Sequence, residues 1–427
     1  MTTNLETLRL ETAAWTAGTL ANRQFDPTRQ PVLNITTNEN VRKIAAAVSP
    51  DCSYRLVKEA IDAARHEICF YIYNASADYL LDLLRAAKQR GVRIRLMYDV
   101  TDTRGDERAS LATLGVELKE APSTDGRRVF TVCHQKFAVI DESVLLLGSA
   151  NWATSSIPKI EDAGGFKKAN REWLVRIDEG ALAKWFKGLF EADWSIPELE
   201  QPPGEMAVEV APALAFFAPR APTRPEKVFD LRRVNLDQPA HVTPIISPNN
   251  YFPLMKKLIR EARSSVDIEQ QYILAGGPDT EGILAALQDR KSELDIRIIV
   301  SPAFRKVGDK DNWEMTMESL AGFGLKDCLR GMGLRFYTHL HNKGVIVDRK
   351  KVVVSSTNWS ENSMGRAREA GVLIESDEVA SYFAEVFDFD WSIALPIHDL
   401  PTNLPWLPRA APAVPEEAEE IHPADLV

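Results

Sequence analysis

Apolar positions along this chain follow two alternating periods, and the succession occurs twice. Leu56, Ala60, Ile61 and Ala64 are spaced i, i+4, i+5, i+8, which gathers them on one face of a helix. A β-branched and aromatic run at residues 68–73 predicts a strand. A second amphipathic helix over 79–90, closed by Gly91, leads to a strand at 92–98 and a polar, irregular segment at 101–128. The succession returns with a helical stripe at Leu254, Leu258, Ile259 and Ala262. A strand at 266–273, a helix at 281–290, a strand at 296–300 and a polar segment at 301–330 follow it. Ser49-Pro50 and Ser247-Pro248 open the two units and read as an N-cap followed by a helix-starting proline. The expected fold class is α/β, a pseudo-twofold duplication of an α/β sandwich domain with mixed sheets flanked by helices. Two copies make a duplication, not a solenoid.

The duplication sets the expected boundaries. Residues 1–45 form a polar lead-in whose short helix, 6–20, packs as a cap. The first domain spans 46–196 and the second 241–395. Between them, 197–240 is rich in proline and alanine, which excludes a long helix and predicts a surface linker anchored by Phe216 and Phe217. The tail, 396–427, is proline-rich and acidic, the composition of a disordered segment.

Composition narrows the class. A chain of 427 residues with 45% hydrophobic content builds a sizeable core without a disulfide framework. Cys52, Cys69, Cys133 and Cys328 are scattered, which fits a reducing compartment, and Cys133 is expected to be a buried, inert thiol facing away from His134. The first residues lack the apolar run of a signal peptide, and no stretch approaches the ~18 apolar residues of a membrane span. The expected location is cytoplasmic, with any membrane contact peripheral. The net charge of −10 disfavours a general polyanion-binding surface, yet leaves room for a local basic cleft.

The candidate chemistry lies on two matching stretches, HQKFAVIDESVLLLGSAN from His134 and HNKGVIVDRKKVVVSSTN from His341. On a strand, positions i and i+2 share a face, so His134 and Lys136 point together, as do His341 and Lys343. Ser149 with Asn151, and Ser356 with Asn358, repeat that relation on the return strands, 144–151 and 352–358. Imidazole, ammonium, hydroxyl and carboxamide together suit a phosphate: lysine brings charge, serine and asparagine bring directed donors, and histidine acts as nucleophile or acid. Asp141 and Asp348 sit at odd offsets from their histidines, before polar turns, so a turn-holding role competes with a catalytic one. Glu172 and Glu369 follow arginines at strand entries. Each is expected to accept the second N–H of an imidazole and fix its tautomer. His339 forms an H-x-H with His341, but Lys343 on the same face would repel a cation, so no metal and no other cofactor is expected. His66, His241, His398 and His422 lack this context and read as core histidines.

H-x-K-x4-D followed by G-S-x-N, present twice, resembles the phospholipase D superfamily over most of 49–194 and 247–391. Ser355 takes the place of Gly148 in the second copy, a change that an extended backbone tolerates. The resemblance implies a bilobal fold with one active site at the junction. One histidine, assigned by analogy as His134, forms a phosphohistidine, and the other, His341, serves as acid and then base. Lys136, Lys343, Asn151 and Asn358 would stabilise the phosphoryl oxygens. Both half-sites lie on one chain, so a monomer suffices. The superfamily includes phospholipases, cardiolipin synthases and nucleases, and three readings stand. The favoured one is a phospholipid-directed phosphodiesterase, hydrolysing or transferring a phosphatidyl group. The second is a metal-independent nuclease, with Arg104, Arg108, Arg127, Arg128, Arg305, Lys306 and Lys310 lining a backbone groove on DNA or RNA. The third is an inactive binding scaffold.

Overall fold

The computed structural model describes residues 27–99, 105–123, 129–197, 224–302, 306–307, 310–333 and 335–396. The expected cap helix over 6–20, Phe216, Phe217, His398, His422 and the tail from 397 lie outside them, as do Arg104, Arg127, Arg128 and Arg305.

The first half runs β1 (Asn38–Ser49), α1 (Ser53–Ala63), β2 (Glu67–Ile72), α2 (Asp78–Gln89), β3 (Arg93–Tyr98), α3 (Gly105–Thr113), β4 (Glu117–Glu120), β5 (Phe137–Ile140), β6 (Val144–Gly148), β7 (Glu172–Asp178) and α4 (Gly180–Trp194). The second half runs β8 (Arg232–Ser247), α5 (Tyr251–Glu261), β9 (Ser265–Gln270), α6 (Pro278–Arg290), β10 (Asp295–Val300), β11 (Lys306–Val307), β12 (Lys310–Asp311), α7 (Asn312–Gly322), β13 (Leu329–Gly331), β14 (Gly344–Val347), β15 (Lys351–Ser355), α8 (Glu361–Gly365), β16 (Glu369–Glu375), α9 (Asp377–Ile393) and β17 (Leu395–Pro396). The two orders match through the site-bearing strands except that the second half adds β11 and β12 ahead of α7, and α8 between β15 and β16.

Among the described residues, fifteen strands form one mixed sheet in the order β17-β13-β10-β9-β14-β15-β16-β8-β1-β7-β6-β5-β2-β3-β4. β2 and β3 pair parallel through α2, as β9 and β10 do through α6, while β5, β6 and β7 form an antiparallel meander matched by β14, β15 and β16. The seam is the antiparallel pair β1 and β8, with register shifts near Asn38 and Val41. Helices cover both faces. α1 and α2 bury Leu56, Val57, Leu80 and Leu84 in one half, and α5 and α6 bury Met255, Ile259, Ile283 and Leu287 in the other. On the opposite face, α4 and α9 share a single core that crosses the seam, with Phe186 and Phe190 from one and Phe383 and Phe387 from the other. Rigid coupling of the halves follows from that shared core.

Several expectations are corrected. The residues read as the end of a linker form the start of β8, where Arg232–Asn235 pair with Lys43–Ala46 of β1, so a partner strand overrides the proline-rich context. The polar segments conceal α3 and α7. Each Ser-Pro closes a strand instead of opening a helix: the Ser49-Pro50 and Ser247-Pro248 bonds are cis, and the helices begin at Ser53 and Tyr251. His66 and His241 are exposed rather than in the core. The Gly148-to-Ser355 departure has a packing reason. Gly148 lies across from Leu174, whereas Ser355 lies across from Gly371. Each copy keeps one glycine in this pair. A Cβ on Gly371 would come within 2.6 Å of the Ser355 Cβ.

Candidate active site

The H-x-K segments sit just ahead of β5 and β14, not within them. Each is held in place by the other half of the molecule. His134 N–H donates to Arg368 O (2.9 Å) and Arg368 N–H to Val132 O (2.8 Å). Equivalently, His341 N–H donates to Arg171 O (3.1 Å) and Arg171 N–H to His339 O (2.9 Å). The strand entries that carry Glu172 and Glu369 therefore cross the junction.

This crossing decides the carboxylate partners. Glu369 of the second half receives His134 Nδ1–H of the first, at 3.0 Å to each oxygen. Glu172 of the first half receives His341 Nδ1–H of the second, at 2.7 Å. The Ser356 carbonyl, 3.2 Å from His134 Nδ1, can only accept, so that nitrogen carries the proton and Nε2 presents its lone pair. His134 Nε2 makes no hydrogen bond among the described residues. The imidazole centroids lie 6.4 Å apart at 67°. Tyr73 packs edge-on against His134 at 4.7 Å, and Lys136 Nζ lies 4.9 Å from the Tyr73 ring centroid. Each lysine also folds onto its own motif: Lys136 Nζ donates to His134 O (2.6 Å) and Lys343 Nζ to His341 O.

Both histidines are fully buried. Burial, then the Lys136, Lys343 and His341 charges, holds His134 well below the usual imidazole pKa; burial with Lys343 and Lys136 does the same to His341. Glu369 is pushed up to about 8 by burial, against the pull of Lys136 and the Ser356 hydroxyl. Glu172 is raised by burial as well. The resting site is thus two neutral imidazoles between two lysines, in a protein that is acidic overall.

Ser149 and Ser356, expected to contact a phosphate, instead hold the carboxylates. Ser149 Oγ donates to Glu172 and Ser356 Oγ to Glu369, each at 2.5 Å, and Ser156 Oγ donates to Glu172 at 2.8 Å. A buried carboxylate draws hydroxyl donors more strongly than open space does. Asn151 and Asn358 are buried just beyond β6 and β15 at equivalent places. Asp141 and Asp348, also candidates for catalysis, stand away from the imidazoles, as strand parity implied. Asp141 accepts the backbone N–H groups of Arg65, His66 and Glu67, and Asp348 those of Arg263, Ser264 and Ser265. They tie the motif turns to the starts of β2 and β9, and both residues adopt positive φ. Cys133 is buried, its thiol pKa pushed well up by burial, and its N–H donates to Asp99.

Two arginines emerge that motif spacing did not assign a role. Arg171 is fully buried and donates to Asp51 (2.7 Å) and to Asp390 of α9 (3.0 Å), with Tyr337 beside it. Arg368 is fully buried and forks onto Asp193 of α4 at 2.7 and 2.9 Å. Each arginine precedes a site glutamate; Asp390 reaches Arg171 and Asp193 reaches Arg368 from the opposite half, while Asp51 lies in the same half as Arg171. Their signal in the sequence is the repeated Asp-Trp-Ser-Ile at Asp193 and Asp390. Glu269, buried and raised well above an ordinary carboxylate by burial and Asp390, accepts from Asn342 between His341 and Lys343. Among the described residues, no group of three His, Cys, Asp or Glu side chains is disposed to hold a metal ion. Arg108 is exposed on α3.

The family profile described as "Cardiolipin synthase, PLD-like domain" matches residues 57–194 and again 255–391. Cardiolipin synthase A of Yersinia pseudotuberculosis serotype O:1b is 24% identical over 363 residues, covering 79% of this chain and 67% of that protein. The crystal structure of a phosphatidylserine synthase from Haemophilus influenzae superposes with a TM-score of 0.55 at 16% identity, over 84% of this chain and 89% of the other. A polyphosphate kinase from Porphyromonas gingivalis gives 0.50 at 13% identity, over 81% and 50%.

Proposed function

The chain belongs to the phospholipase D-like cardiolipin synthase family, and from that premise we propose that it exchanges the alcohol of a phospholipid phosphodiester through a covalent phosphohistidine. The observation that carries this reading is the crossed pairing of His134 with Glu369 and His341 with Glu172. It supports one site built by both halves, with two imidazoles facing a single phosphate.

In the first step, the His134 Nε2 lone pair attacks phosphorus and the bond to the leaving oxygen breaks. Positive charge grows on the ring as the N–P bond forms, and the Glu369 carboxylate stabilises it through Nδ1–H. The entering phosphodiester brings a negative charge between Lys136 and Lys343, which lowers the cost of an imidazolium on His341. That imidazolium, oriented by Glu172, gives its Nε2 proton to the departing alcohol. The lysine ammonium groups and the Asn151 and Asn358 amides stabilise the equatorial oxygens. In the second step, neutral His341 takes the proton of an incoming hydroxyl, whose oxygen attacks phosphorus and releases His134. The likeness to cardiolipin synthase A favours an alcohol over water as acceptor, and so transfer over hydrolysis. No described helix is long and apolar enough to cross a membrane, and lipid contact in this reading is peripheral. Both half-sites come from one chain, so a monomer suffices.

Side-by-side assays on phosphatidylcholine vesicles and single-stranded DNA, each with and without EDTA, test the proposal. Release of choline that survives EDTA is the expected result. Cleavage of DNA with no choline release would replace the lipid reading with the nuclease one, and loss of activity on chelation would contradict the metal-free steps.

A further inference from the structure

The two arginine clamps repeat in position but not in charge. Arg368 lies over the Phe130 ring and meets Asp193 and Asn249, with Tyr71 beside Asp193. Arg171 lies over the Tyr337 ring and meets Asp390 and Asp51, with Glu269 beside Asp390. Glu269 stands where Tyr71 stands: Tyr71 of β2 pairs with Phe137 and Glu269 of β9 with Gly344, and both partners lie three residues past a site histidine. Asp51 likewise takes the place of Asn249, each two residues past the serine of its Ser-Pro. Among the described residues, the first cluster thus sets one carboxylate against one guanidinium. The second sets three buried carboxyl groups, Asp51, Glu269 and Asp390, against one.

That excess of acid has to be met by a proton, because an unpaired buried carboxylate is costly. Charged neighbours on the adjoining elements have other partners: Asp267, two residues back on β9, binds Arg297 of β10, which also meets Asp388 of α9, and Lys343 donates to the His341 carbonyl. The Glu269 and Asp390 carboxyls hydrogen-bond each other, which two carboxyl groups do only when one is protonated. Asp390 is paired with Arg171 at 3.0 Å and keeps the charge. Glu269 Oε1 makes no other hydrogen bond among the described residues and is left for the proton. In agreement, burial and then Asp390 raise Glu269 well above the carboxylate range, against the pull of Arg171. Through this proton Glu269 reaches His341 by two routes. Its Oε2 accepts from Asn342 Nδ2 at 2.9 Å, between His341 and Lys343. Its O–H steadies Asp390 and so Arg171, whose carbonyl receives His341 N–H and whose chain neighbour Glu172 holds the imidazole.

We infer that Glu269, sharing a proton with Asp390, is a positioning residue for His341 and makes the second half-site alone sensitive to alkali. The inference rests on the shared-site phosphodiesterase reading and adds a residue to it. When Glu269 ionises, two like charges face each other in the core, where they repel strongly. Asn342 and Arg171 then shift, and the His341 backbone and ring lose their register. The first half escapes this effect. Tyr71, at the equivalent place, keeps its proton, because burial holds its phenol well above the usual range.

Turnover of a phosphatidyl ester of p-nitrophenol between about pH 5 and 10 tests this, with wild type and Glu269→Gln compared. Departure of p-nitrophenol needs no imidazolium, so the acid role of His341 does not shape the alkaline side. Once Glu269 ionises, the wild type is expected to lose kcat about tenfold per pH unit, the slope of a single ionisation. Glutamine keeps a donor for Asp390 and an acceptor for Asn342 but has no proton to lose, so Glu269→Gln is expected to hold its rate over the same range. Melting temperature supplies a readout without substrate. Above the ordinary carboxylate range the unfolded chain releases the Glu269 proton while the folded chain retains it, so this group costs stability as pH rises towards its folded pKa. The Tm of Glu269→Gln is therefore expected to gain on that of the wild type from acid to alkaline pH. An equal alkaline decline in both proteins, or none in the wild type, overturns the positioning role. A Tm difference that does not change with pH overturns the shared proton. A wild type that releases no p-nitrophenol at any pH overturns the phosphodiesterase reading and the role at His341 with it, while the Tm comparison separately reports the proton.

Discussion

Glu172 and Glu369 each serve a histidine that lies far away in the sequence and in the other half. Replacing the carboxylate by an amide keeps the shape and one acceptor oxygen but removes the negative charge that stabilises a charged imidazole through Nδ1–H. Glu369→Gln and Glu172→Gln are each expected to lower kcat by about 10²- to 10⁴-fold, measured as choline release, with little change in thermal stability. The pH profile carries a second consequence. His134 must be neutral to attack, and its folded pKa is depressed, so activity persists as pH falls below 6.5 and is lost only well below it. Lys343 contributes to that depression. The Lys343→Met variant should retain residual activity whose acid limb moves to higher pH; an acid limb that stays in place would remove the lysine from the electrostatics of His134. Much of this was legible from spacing alone: H-x-K, twice, marked the imidazoles and ammonium groups, and strand parity turned Asp141 and Asp348 away from them. The serine hydroxyls were misjudged because their direction depends on Glu172 and Glu369, and the distance from motif to glutamate differs between copies.

At the scale of elements, the clamps from α4 and α9 join the halves. Asp193 reaches Arg368 and Asp390 reaches Arg171, all four fully buried. A buried ion pair adds modest stability over an apolar pair, yet removing one partner strands a charge. Asp193→Ala should therefore destabilise the protein by about 3–5 kcal/mol in urea unfolding, far more than an exposed pair such as Lys58 with Asp62 would. An Asp193→Ala effect of the size seen at an exposed pair would show that Arg368 finds another partner. Periodicity located α1, α2, β2 and β3 because their apolar faces are regular. It missed α3 and α7 because their polar and charged residues leave no regular apolar stripe, and it misread Ser-Pro because each dipeptide lies only a few residues ahead of a helix, at Ser53 and Tyr251.

On the scale of the whole molecule, duplication was readable, but the way the copies meet was not. The seam pairs β1, which begins in the polar lead-in, with β8, which begins in the proline-rich stretch; neither has an apolar rhythm at its outer end. Antiparallel pairing there sets the halves about a pseudo-twofold axis. Each H-x-K segment consequently meets the glutamate strand of the other half, and neither half holds a complete site. The most direct test uses a phosphatidyl ester of p-nitrophenol, whose leaving group needs no general acid. His341→Ala should release about one equivalent of p-nitrophenol and stall with a phosphatidyl group on the peptide containing His134, while His134→Ala should give neither burst nor adduct. A burst from His134→Ala, or an adduct on any residue other than His134, would contradict the account.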